Sequence, residues 1–173
     1  MELERGDIII FRGHGLVFSV LSKMLSIFDK KWRRLQYKVW HVAFISGKVL
    51  NLYTIGESVN KGVTEAWLNE NADFKVYRWL DKEPPRYKIQ KFLLDRAYSR
   101  YDLAIYLWTM LFYLVRHYFN RPIPKLLDNH YSCWELVGEF CAEMGKPIVS
   151  KYDTFFITDM LKVLSPYQVT RDG

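Results

Sequence analysis

The sequence predicts an α+β domain in which a small antiparallel sheet packs against helices. Three observations lead there. The first eighty residues alternate short apolar runs with turn residues, as strands do. The residues after Pro84-Pro85 carry helical periods instead. No repeat, low-complexity tract or long linker separates the two stretches, so 173 residues read as a single domain, 1–173.

Gly6-Asp7 opens a short strand at 8–11, and Arg12-Gly13-His14-Gly15 reads as a loop. Residues 16–28 place apolar side chains at helical spacing, with Ser19, Ser22, Lys23 and Ser26 opposite. A basic stretch at 30–38 follows. Two strands, 39–46 and 48–53, are expected to meet at Gly47 in a tight hairpin. A short helix capped by Thr64 is expected at 63–71, and a strand at 74–80. Beyond the prolines, helices are expected at 87–99 and 102–119. The next starts at Ser132 or Cys133, runs to Met144 and ends at Gly145. A last helix covers 153–163, with Asp153 as its cap.

Half of the residues are apolar and 17% are aromatic, enough for a sizeable, ring-rich core. The formal net charge of +6 favours anionic partners in general. No nucleic-acid-binding motif accompanies it, so nucleic acid is not an expected partner. The charged N-terminus does not resemble a signal peptide. The longest apolar run, 103–115, is interrupted only by Thr109 and is too short for the ~20 residues of a membrane span. A cytoplasmic location is the expectation.

Cys133 and Cys141 fall in one expected helix, about 12 Å apart at 1.5 Å per residue, too far to bridge. There is no CxxC and no His/Cys cluster at zinc spacing, so neither metal nor cofactor is expected. Cys133 stands at a helix start, in Tyr131-Ser132-Cys133-Trp134-Glu135-Leu136-Val137. A helix N-terminus favours a thiolate, and an imidazole can take the proton. His41, in the strand-like Val39-Trp40-His41-Val42-Ala43, is the candidate base. A third group should orient that base. Asn51, isolated among apolar strand residues, is the first choice, with Glu57 in the following loop as the reserve. Tyr131, Ser132 and His14 are candidate oxyanion or substrate contacts. Cys141 is assigned to the core, His117 to the surface, and Glu135 and Asp102 to helix starts. His130 lies too near Cys133 in the chain to present its ring as the base.

The order of these features resembles the circularly permuted NlpC-type papain-like cysteine hydrolases. The resemblance runs from Gly6-Asp7 and its strand, through His41, Asn51 and Tyr101-Asp102, to Cys133-x-Glu135-Leu136-Val137. In that group the histidine-bearing sheet precedes the cysteine helix. The family often has glutamate where Asn51 is placed here, and its tyrosine commonly adjoins the cysteine, where this chain interposes Ser132. The resemblance implies a permuted papain-like core and a cysteine amidase or peptidase working through a thioester. Its substrates would be peptides or other amides, such as those derived from cell walls. Two alternatives stand beside it. One is a lipid-acting acyltransferase or thiol esterase, as in relatives of the lecithin retinol acyltransferase kind, with peripheral membrane contact through residues 16–38. The other is an inactive binding module on the same scaffold.

Overall fold

The computed structural model describes residues 2–13, 19, 22–23, 39–59, 62–69, 71–97, 99, 131–148 and 157–169. Among these lie six strands: β1 Ile8–Arg12, β2 Val39–Val49, β3 Leu52–Val59, β4 Gly62–Trp67, β5 Phe74–Tyr77 and β6 Gln168–Val169. Three helices, α1 Arg86–Arg96, α2 Cys133–Glu143 and α3 Ile157–Leu164, accompany them, and a 3-10 turn at Ser165–Tyr167 leads into β6. The strands form one antiparallel sheet in the order β4-β3-β2-β1-β5-β6. The chain is therefore α+β.

β1 lies inside the sheet, between β2 and β5. Its run Ile8-Ile9-Ile10 is wholly buried because the sheet carries an apolar cluster on each side. Ile8 and Ile10 join the cluster shared with the helices, and Ile9 joins the other with Ala43, Ile45 and Ile55. On the helix side, the Phe44 and Phe140 rings stack 3.8 Å apart, and Phe92 meets both edge-on. These three buried rings join β2, α1 and α2, and each contributes roughly 2–3 kcal/mol.

Gly56 makes that arrangement possible. A Cβ there would collide with the Phe44 ring, which lies across the β3 backbone. Gly6 plays a comparable part at the start of the sheet. Its φ is +89°, and a Cβ would meet Leu80 and Pro84 at 2.8 and 2.9 Å. The turn presents Asp7, itself buried, to Arg78, whose Nε and Nη2 each donate at 3.0 Å. The backbone N–H of Glu4 adds a third bond to the same carboxylate. A buried carboxylate needs such partners.

Several boundaries differ from the sequence expectation. Gly47 is not the hairpin turn. The β2–β3 register shifts between Ile45 and Gly47, and β2 runs on to Val49. Val49 pairs with Leu52, so Leu50-Asn51 makes a two-residue turn with Leu50 at φ +55°. Neither turn residue is glycine, which hid the turn inside an apolar run. The expected helix at 63–71 is instead β4. Its burial alternates from Thr64 to Trp67, and each residue pairs with β3 from Val59↔Gly62 to Thr54↔Trp67. Cross-strand pairing overrides the weak local helix signal there. β6, not foreseen, extends the sheet by pairing with β5. The expected strand at 74–80 ends at Tyr77, and the helix at 87–99 starts one residue early and stops at Arg96. Of the expected helix at 16–28 only Ser19, Ser22 and Lys23 are described, and all three are helical; the helix at 102–119, the basic stretch at 30–38, His14, His117, His130 and the cap Asp153 lie outside the described residues.

Candidate active site

Cys133 occupies the first position of α2, and Ser132 caps the helix. The Ser132 hydroxyl accepts the Glu135 backbone N–H at 3.4 Å. Glu135 Oε2 accepts in return from the Ser132 N–H at 2.8 Å and from the Ser132 hydroxyl at 2.6 Å. This reciprocal capping box satisfies two backbone donors and places a carboxylate in the first turn, where the helix dipole favours it. It leaves the Cys133 N–H, at the first helical position, without an intrahelical acceptor. The approach to the helix is also tied to the sheet. Ser58 of β3 donates its hydroxyl hydrogen to the Tyr131 carbonyl at 2.7 Å.

His41 reaches the site through an irregularity in β2. A regular strand would put Val39, His41 and Ala43 on one face. Instead Val39 packs in the helix-side cluster and Ala43 in the opposite one. The slip falls at Trp40–His41, where the β1–β2 register shifts: Phe11 faces His41, but Arg12 faces Val39. Bulges of this kind re-aim side chains. The imidazole stacks on the Phe11 ring, with centroids 5.7 Å apart.

The β2–β3 ladder also stops short. It runs from Val49↔Leu52 to Phe44↔Gly56, whereas β3 continues against β4 as far as Val59. Past the last shared rung, His41 and Glu57 connect the two strands through their side chains. His41 Nε2 lies 2.7 Å from Glu57 Oε2. Cys133 stands close enough to the same ring for its sulfur to raise the affinity of the imidazole for a proton.

Burial alone would lower the affinity of His41 for a proton. The hydrogen bonds to Cys133 and Glu57, and the attraction of their charges, outweigh it and push His41 up to about 10 from its ordinary 6.5. The imidazole is therefore held as imidazolium through neutral pH. Cys141, on the same helix, has no such company. It is fully buried among apolar side chains, and burial pushes its thiol up. Both cysteines are free thiols.

Access to the sulfur is narrow. Cys133 is 1% exposed. The His41 and Glu57 side chains remain 17% and 15% exposed, so the open side of the site is the imidazole–carboxylate side.

The structure thus brings His41 and Cys133 together, and Glu57 stands where Asn51 was expected. Asn51 is an exposed residue of the hairpin turn, at the far end of the β2–β3 pair. The error followed from the misplaced turn: with Gly47 as the corner, Glu57 fell in a loop and Asn51 in a strand. The Tyr131 phenol is engaged by Glu139 and Arg96 on the α1–α2 flank, and the Arg96 guanidinium lies 6.0 Å from its ring. The Ser132 hydroxyl is committed to the cap. Neither side chain stands ready to meet an oxyanion. Ser58 and the cap were missed as site elements, although Ser132-x-x-Glu135 is a legible capping-box pattern.

Among the described residues no cluster of three or more His, Cys, Asp or Glu side chains could hold a metal ion. Among the same residues no helix is long and apolar enough to cross a membrane. No family model matches the chain, and a search of curated proteins finds no match either.

Proposed function

We propose that the chain is a cysteine hydrolase of permuted papain-like order, acting on amide or peptide bonds through a thioester. One observation carries the reading: a single imidazole bonded at Nε2 to a carboxylate and close enough to a helix-start sulfur for the two to interact. Each group has a role in acyl transfer. The Cys133 thiolate attacks the acyl carbon and forms a C–S bond. The Cys133 backbone N–H, at the positive end of α2, receives the developing oxyanion. His41 as imidazolium gives its proton to the leaving amine, and the C–N bond breaks. Neutral His41 then takes a proton from water, whose oxygen attacks the thioester. The carboxylic acid departs, the sulfur leaves as thiolate, and the imidazolium is restored. Glu57 holds Nε2 and supports the ring's charge.

The sheet-then-helix order, with His41 before Cys133, supports the family resemblance, and cell-wall-type peptides are the substrate class that resemblance suggests. The test is an amide-based acyl probe that captures a nucleophilic thiol. The wild-type chain should be labelled at Cys133, and His41→Ala should lose labelling while keeping its fold. Equal labelling of the two proteins counts against the proposal.

A second reading, an idle binding module on the same scaffold, is favoured by the 1% exposure of Cys133. It predicts that Cys133 reacts no faster than a buried thiol at any pH. The lipid-acting alternative drew on residues 16–38, of which only Ser19, Ser22 and Lys23 are described.

A further inference from the structure

We propose that Ser58 is a positioning residue of this site: its bond to the Tyr131 carbonyl sets where the first turn of α2 sits against the sheet, and so the reach between Cys133 and His41. The inference rests on the cysteine chemistry proposed above.

Ser58 is 0% exposed, and its cross-strand partner Val63 belongs to the helix-side core. A hydroxyl in such a place needs a hydrogen-bond partner. The partner is the carbonyl of Tyr131, two residues ahead of the nucleophile, at 2.7 Å. The neighbour of Ser58 is Glu57, which binds the imidazole. Two consecutive residues of one strand therefore hold the two halves of the site, Glu57 the base and Ser58 the chain leading to the thiol. Because successive strand residues point to opposite faces, a strand can serve both at once.

Two other ties of α2 act differently. The Ser132–Glu135 cap ties α2 to its own first turn. The Phe44–Phe140 stack ties α2 to the sheet, but about 10 Å further along the helix axis. Apolar burial is non-directional and tolerates sliding, whereas a short hydrogen bond constrains both distance and angle. The polar tie at Ser58 thus governs the end of α2 where the sulfur is.

The test compares Ser58→Ala with Val63→Ala, a loss of buried side-chain volume on the facing strand that removes no hydrogen-bonding group. Iodoacetamide alkylation is followed peptide by peptide, so Cys133 and Cys141 are read separately. The His41 ring is titrated by NMR in the same proteins, and folding is checked by circular dichroism. Ser58→Ala should slow Cys133 alkylation at neutral pH by roughly 100-fold, the scale of a misplaced reacting group. Its His41 titration should move down from about 10 towards 6.5. Val63→Ala should lose stability and leave both readings near wild type. If Ser58→Ala does not fold, the near-isosteric Ser58→Cys, with a longer and weaker S–H donor, carries the same expectation. Readings for the Ser58 variant that match Val63→Ala overturn the inference and leave the proposed function standing. A wild-type His41 that titrates near 6.5, beside a Cys133 that alkylates no faster than a free thiol, removes the proposed function and this inference with it.

Discussion

Glu57 meets His41 across a gap in the sheet: the carboxylate oxygen lies 2.7 Å from Nε2 at a point where β2 and β3 have ceased to pair. The backbone no longer holds the two strands in register there. The side-chain bond does so instead, and it fixes the ring that faces Cys133.

Glu57→Gln keeps the shape and removes the charge. An amide can still bond Nε2, but it supports the imidazolium less and permits the other tautomer. The hydrolytic rate should fall by up to the order of 10⁴-fold, the scale seen when a triad carboxylate becomes an amide. The fold should survive, because Glu57 is a part-exposed side chain outside both apolar clusters. Steady-state kinetics beside thermal unfolding would check this; a rate within threefold of wild type would remove Glu57 from the mechanism.

The charge on His41 gives a dependence of stability on pH. Its folded-state pKa, about 10, lies above the ordinary 6.5. More protons are therefore bound in the folded than in the unfolded chain between these values. The stabilisation is complete below pH 6.5 and is lost progressively as pH rises to about 10. Urea unfolding of wild type and His41→Ala should show their stability difference shrinking across that window. A difference that grows with pH would contradict the assignment.

The two thiols should behave differently. Cys133→Ala should abolish both hydrolysis and labelling by a thiol-directed acyl probe. Cys141→Ala should leave labelling intact and cost at most about 1–2 kcal/mol, as a small deletion in a packed core. Mass spectrometry of the labelled peptides decides between them. Label on Cys141 rather than Cys133 would place the reactive sulfur wrongly.

Gly56→Ala should destabilise the protein through a packing clash rather than through chemistry. The added methyl group meets the Phe44 ring, which is held between Phe140 and Phe92 and cannot easily yield. Overpacking of this sort costs about 1–3 kcal/mol. Chemical denaturation measures it, and replacing Phe44 by Leu in the Gly56→Ala background should recover part of the loss.

Much of the frame was legible because its residues state their environment locally. Ile8-Ile9-Ile10 reads as a strand, and the helix Cys133–Glu143 announces both ends, with Ser132 before it and Gly145 after it. The meeting of His41 with Cys133 could be expected from chemistry: a helix-start thiol and a strand histidine make a familiar pair. The rest depended on long-range pairing. At Leu50-Asn51 the turn is weakly marked: Asn51 favours a turn, but the usual glycine is absent and the φ of +55° falls on a leucine. The register that makes β4 a strand is supplied by β3, not by residues 63–67 themselves. The slip at Trp40–His41 is a relation between β1 and β2, invisible in either alone. Those relations decide that Glu57, not Asn51, faces the imidazole.

Because the ribosome releases the chain from its N-terminus, β2 and β3 emerge long before the helix that begins at Cys133. His41 and Glu57 can take their places while Cys133 has yet to be synthesised. The approach of Cys133 to His41 waits on the docking of α2 against strands that are already made.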